Sequence, residues 1–77
     1  MIDVLLFAQL QEEAGTDKLQ IDKQSITVKE IKRELQEEYH LSQLKESMVA
    51  VNEAYALEDD LIQTGDTVAI IPPVSGG

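Results

Sequence analysis

The chain runs out on Pro72-Pro73-Val74-Ser75-Gly76-Gly77, and the terminal carboxylate there is the group with the most chemistry to offer. Two glycines carry no side chain to pack, so they leave a thin strip of backbone that fits a narrow channel. The prolines before them fix φ and lack an N–H, which favours an extended approach. A carboxylate is ionised at neutral pH and inert as an acyl donor. To react, it must first be activated as an acyl-adenylate at the expense of ATP. Glycine then leaves the path of an attacking nucleophile unobstructed. The competing reading is an ordinary frayed terminus.

The rest of the chain is poorly equipped for catalysis. It holds one His (His40), one Arg (Arg33) and no Cys, so it has no thiol nucleophile, thiolate metal site or disulfide. It also lacks a phosphate-cradling glycine loop, and Ser75 has no evident base. His40 has no second His nearby and reads as a helix-end residue rather than a ligand. Glu58-Asp59-Asp60 lacks the spaced ligands and the glycine of a calcium loop; it reads as an acidic cap on a turn over Leu61-Ile62. The sequence therefore suggests a protein that is not catalytic alone, with no bound cofactor and no metal.

Seventy-seven residues make one domain, and 43% hydrophobic residues suffice for a core. Phe7, Tyr39 and Tyr55 are its aromatics, so that core rests on Leu, Ile and Val. A net charge of −9 argues against nucleic acid and anionic membranes, and supports solvation and attraction to basic protein partners. The apolar stretch from Ile2 to Leu10 contains Asp3 and Gln9 and follows no basic segment, so it reads as neither signal peptide nor membrane span. The expected compartment is the cytoplasm.

Local patterns divide the chain into elements. Ile2 to Ala8 reads as a strand that is apolar on nearly every position, hence central in a sheet. A short helix over Gln9 to Ala14 stops at Gly15, and Lys18 to Asp22 alternates as a half-exposed strand forming a hairpin with the first. The best-marked helix starts at Thr27, where Thr27 and Glu30 make a capping box and Ile26 can staple onto Ile31. Val28, Ile31, Leu35 and Tyr39 form its apolar stripe, and Lys29, Lys32, Arg33, Glu34, Glu37 and Glu38 lie off it as a solvated face. Leu41 to Ser47 reads as a loop or single turn anchored by Leu41 and Leu44. Met48 to Val51 is a strand, Asn52-Glu53 a turn, and Ala54 to Leu57 its return. After a Thr64-Gly65-Asp66 turn, Thr67 to Ile71 forms the last strand.

This order predicts an α+β domain over residues 1–71, a mixed sheet with one principal helix packed on one face, and an extended tail over 72–77. The first and last strands are expected to lie side by side and parallel. If Val4, Leu6, Val68 and Ile70 face the helix, then Leu5, Phe7, Ala69 and Ile71 face away. With Tyr55 they would leave an apolar patch near the tail, the mark of a binding surface. Cover by the short helix, or the reverse strand orientation, is the alternative.

The ending Pro-Pro-Val-Ser-Gly-Gly after Gly65-Asp66-Thr67-Val68-Ala69-Ile70-Ile71 resembles the small subunit of molybdopterin synthase, the MoaD family. Val4 to Gln9 with the Gly15 turn, and Ala50-Val51-Asn52, match the same pattern, so the resemblance covers essentially the whole chain. It implies a β-grasp, ubiquitin-like fold. It implies that Gly77 is adenylated by an E1-like, MoeB-like activating enzyme using ATP and converted to a thiocarboxylate. The tail (Pro72, Pro73, Val74, Ser75, Gly76) would insert into the large, MoaE-like subunit, where sulfur passes to precursor Z (cyclic pyranopterin monophosphate). Two small subunits would flank a dimer of large ones, and Phe7, Tyr55 and Ile71 match the family's apolar interface spots. Gly-Gly alone is shared with ubiquitin and the thiamine-pathway carrier. A thiamine-pathway sulfur carrier, a ubiquitin-like protein modifier and a plain binding module therefore stand as alternatives.

Overall fold

Hydrophobic alternation at the two ends of the chain builds the middle of the sheet. The computed structural model describes residues 1–41 and 43–73. The first apolar run forms β1 (Ile2–Leu6), shorter than the stretch to Ala8, because Ala8 takes φ 51 and opens helix α1 (Ala8–Ala14). Gly15 ends α1 in the left-handed region, its N–H donating to the Gln11 carbonyl at 3.0 Å, as a glycine C-cap does. Strand β2 (Lys18–Ile21) returns antiparallel beside β1.

A short β3 (Ser25–Thr27) leads into α2 (Val28–Tyr39) through the expected capping box. The Glu30 N–H donates to Thr27 Oγ1 at 3.2 Å, while Glu30 Oε1 accepts from the Thr27 N–H at 3.2 Å. These bonds answer two of the donors that a helix start leaves without an intrahelical partner. His40 ends α2 at φ 54, with its N–H on the Gln36 carbonyl. Leu41 and Leu44 then turn inward and are buried.

Strands β4 (Met48–Val51) and β5 (Ala54–Ala56) form a hairpin whose two turn residues, Asn52 and Glu53, both have positive φ, at 51° and 71°. Such two-residue turns match the right-handed strand twist. Leu61 and Ile62 belong not to a turn but to β6 (Leu61–Gln63), which pairs antiparallel with β3. The acidic cap lies one step earlier: Asp60 Oδ2 accepts from the Leu57 N–H at 2.8 Å and closes the turn that precedes β6. This two-stranded sheet does not show in the sequence, since three-residue strands are too short to display a period. Strand β7 (Thr67–Ile71) is the last element among the described residues.

The main sheet runs β2-β1-β7-β4-β5, with β1 and β7 parallel and every other pair antiparallel. One face carries Ile2, Val4, Leu6, Val49, Val68 and Ile70, all buried with Val28, Ile31 and Leu35 of α2 and Leu10 of α1. Each such side chain contributes about 1.5–3 kcal/mol relative to exposure. Among the described residues no buried side-chain polar atom lacks a hydrogen-bond partner. The fold is the expected α+β arrangement, a mixed sheet with one principal helix across one face.

Candidate functional site

Cross-strand register decides which side chains share the face that α2 does not cover. Leu5 aligns with Ala69, Ala69 with Ala50, and Ala50 with Tyr55, a single row crossing β1, β7, β4 and β5. The next row places Ile71 opposite Met48, and the parallel pairing of Leu6 with Ile70 puts Phe7 level with Ile71. Ala50 and Ala69 are small and meet at the centre, while Phe7, Tyr55 and Ile71 stand around them. The result is an open hollow of about 540 Å³, its lining completed by Glu53.

Phe7 and Tyr55 remain 44% and 71% exposed, and Ile71 is partly covered. Helix α1 does not shield this face, because its one buried side chain, Leu10, belongs to the core under α2. Phe7 owes its place to the corner after β1. It is the residue preceding α1, its carbonyl accepts from the Leu10 N–H at 3.1 Å, and Ala8 turns the chain in the left-handed region. A non-glycine residue there costs about 1–2 kcal/mol, which the packing on both sides offsets.

The strand that carries the tail is tied down at its other end. The Asn52 side chain accepts from the Thr67 N–H at 3.0 Å and donates to Asp66 Oδ1 at 3.1 Å. Asp66 Oδ2 accepts from the Gln63 N–H at 2.9 Å. That backbone bond first, and the Asn52 amide second, hold the Asp66 carboxyl below its ordinary value. Glu30 is lowered in the same way, chiefly by the Thr27 backbone N–H. The Gly-Asp motif at the start of β7 thus locks the hairpin that bears Tyr55 onto the strand that ends at Ile71.

The parallel β1–β7 pairing brings Phe7, Ile71 and the exit of β7 to one end of the sheet. Pro72 is partly buried and Pro73 exposed just past Ile71. Val74, Ser75, Gly76 and Gly77 lie outside the described residues. Ala50 and Glu53 were missed in the sequence reading. The β4–β7 register sets Ala50 against Ala69 and the hairpin turn brings Glu53 to the rim, and alternation within one strand reveals neither. Among the described residues no group of three His, Asp or Glu side chains gathers as a metal site requires, and no helix is long and apolar enough to cross a membrane.

The chain is similar to known proteins in sequence and in fold. The model of the ThiS family matches residues 4–77. The chain is 40% identical to the molybdopterin synthase sulfur carrier subunit of Dictyostelium discoideum over 80 residues, covering 96% of this chain and 93% of that one. It is 35% identical to the subunit of the same name from Escherichia coli over 81 residues, covering both in full. Its fold is similar to that of SAMP1 from Haloferax volcanii, a small archaeal modifier protein, with a TM-score of 0.81, 26% identity and 99% and 98% of the two chains covered.

Proposed function

The chain belongs to the ThiS family, and we propose that it is the sulfur-carrier small subunit of a molybdopterin synthase. The full-length likeness to subunits of that name carries the reading. The same likeness favours the molybdopterin acceptor over the thiamine pathway. In this reading the Gly77 carboxylate attacks ATP on an E1-like activating enzyme, releasing pyrophosphate and forming an acyl-adenylate. A sulfur nucleophile displaces AMP, leaving a thiocarboxylate. The tail then enters the large subunit, and the sulfur passes to precursor Z. The carrier is not catalytic alone: it supplies the sulfur and the binding surface.

The geometry supports this division of labour. An exposed apolar hollow rimmed by Phe7, Tyr55 and Ile71 suits a partner subunit, and it lies at the end of the sheet from which Pro72 departs. Docking there fixes the tail's starting point, so that a short proline-stiffened stalk has a defined direction.

Incubation with the activating enzyme, ATP and a sulfur source should raise the intact mass by the oxygen-to-sulfur difference. Deleting Gly77 should abolish that gain without lowering the melting temperature, since no core residue is touched. No mass gain with any cognate activating enzyme would refute the proposal. The likeness to SAMP1 favours one second reading, a protein modifier joined through Gly77 to lysines. Immunoblots for the chain would then show conjugates of higher mass.

A further inference from the structure

Four of the six cations of this acidic chain line one groove on the outer side of α2. Lys29, Lys32 and Arg33 come from the helix and Lys45 from the turn after it, around a space of about 560 Å³. Leu44, itself buried, forms part of the floor, and the lysine stems extend that apolar surface. Lys29 and Arg33 are exposed, as spacing along the helix predicts, and Lys32 is half-buried. Lys32 Nζ donates to the Ser47 carbonyl at 2.9 Å and to the Lys45 carbonyl at 3.5 Å, which holds its charge at a defined place on the wall.

Three carboxylates, those of Glu30, Glu37 and Glu58, share the lining and leave its four cations one charge in excess. Glu30 Oε1 is engaged by the Thr27 N–H and hydroxyl, and Glu37 lies 4.0 Å from Arg33. Glu58 contributes its backbone carbonyl to the Lys29 N–H. Among the described residues the ion pairs are Lys23–Glu34 and Arg33–Glu37, so Lys29, Lys32 and Lys45 have no carboxylate within ion-pair distance. In a chain with 15 acidic residues, three lysines without such a partner at one place amount to a separation of charge.

We propose that this groove docks an acidic segment of a partner protein, a few carboxylates flanking one apolar side chain. Charge complementarity selects the carboxylates, and the apolar stems of the lysines select the apolar group. The net charge of −9 repels a second copy or a long polyanion at range, whereas a short segment presents its charges to the groove alone. Because α2 covers the inner face of the sheet, the groove lies opposite the Phe7 and Tyr55 hollow, and both surfaces can be occupied together.

The test is a titration of the ¹⁵N-labelled full chain with a blocked Asp-Glu-Leu-Asp-Glu peptide. Amide shifts should concentrate in α2 and in residues 43–47. The double variant Lys29→Glu, Lys45→Glu should bind about tenfold more weakly, as expected when two surface attractions become repulsions. A glutamate at position 29 suits the first turn of a helix, so the fold is retained. The charge-matched variant Lys18→Glu, Gln9→Glu, Gln11→Glu, at exposed positions outside the groove, should bind as the parent does. Four results would overturn the proposal: no shifts at millimolar peptide, an equal loss in the charge-matched variant, tighter binding of an oligothymidylate, or lysine-dependent self-association in ultracentrifugation.

Discussion

Replacing Tyr55 with alanine tests the outer face most directly. Tyr55 is 71% exposed on β5, so most of its ring is available to a partner and little is committed to the fold. A tyrosine side chain offers roughly 200 Å², which leaves about 140 Å² to be covered on binding. At about 25 cal/mol per Å², full cover contributes about 3.5 kcal/mol. Immobilising the ring costs about 0.5–1 kcal/mol, leaving about 2.5–3 kcal/mol. The expected loss is therefore about a hundredfold in Kd. The roughly 60 Å² already covered by the chain is worth at most about 1.5 kcal/mol of stability. That limits the fall in Tm to roughly ten degrees. Calorimetric titration of parent and variant against the purified large synthase subunit, with thermal unfolding in parallel, reads both numbers. An unchanged Kd in a folded variant would show that the hollow is not where the partner sits.

Three further outcomes follow from local geometry. Thr27→Ala removes the capping box and should cost about 1–2 kcal/mol, seen as a lower urea midpoint with an unchanged slope. Gly65 has φ +92 and open space where a Cβ would sit, so Gly65→Ala meets no clash and its cost is pure backbone strain, about 1–3 kcal/mol by the same measurement. Asp66 is held below its ordinary 3.8 in the folded chain. The unfolded chain therefore takes up the proton first as pH falls, and the stabilisation, present above that value, is lost as pH drops through the lowered folded value. Asp66→Asn should be less stable than the parent at neutral pH, with the gap closing below pH 3.8 in a series of urea titrations.

The readable parts of the sequence were those whose cause is short-range. Thr27 and Glu30 lie three residues apart, so their capping box is complete within one helical turn. Gly15 and the Asn52-Glu53 pair sit where positive φ is required, and their residue types announce it for Gly15 and Asn52. Alternation in Thr67–Ile71 separates Val68 and Ile70 from Ala69 and Ile71, and the burial follows it. Glu53 in the same turn carries no such signal, and neither does Ala8, whose left-handed φ ends β1 early.

The candidate site divides along the same line. Phe7, Tyr55 and Ile71 are legible one by one as large apolar residues on outward-facing positions. The hollow between them depends on Ala50 meeting Ala69 across β4 and β7, positions far apart in the chain. The β3–β6 pair and the groove of Lys29, Lys32, Arg33 and Lys45 are likewise products of distant segments coming together. By itself the sequence determined the longer elements and their buried faces, because propensity, period and residue type act within a few positions. Register, the shape of the outer face and the gathering of charge were decided only by the tertiary structure, since hydrogen bonds and side-chain contacts across strands link residues that no local pattern connects.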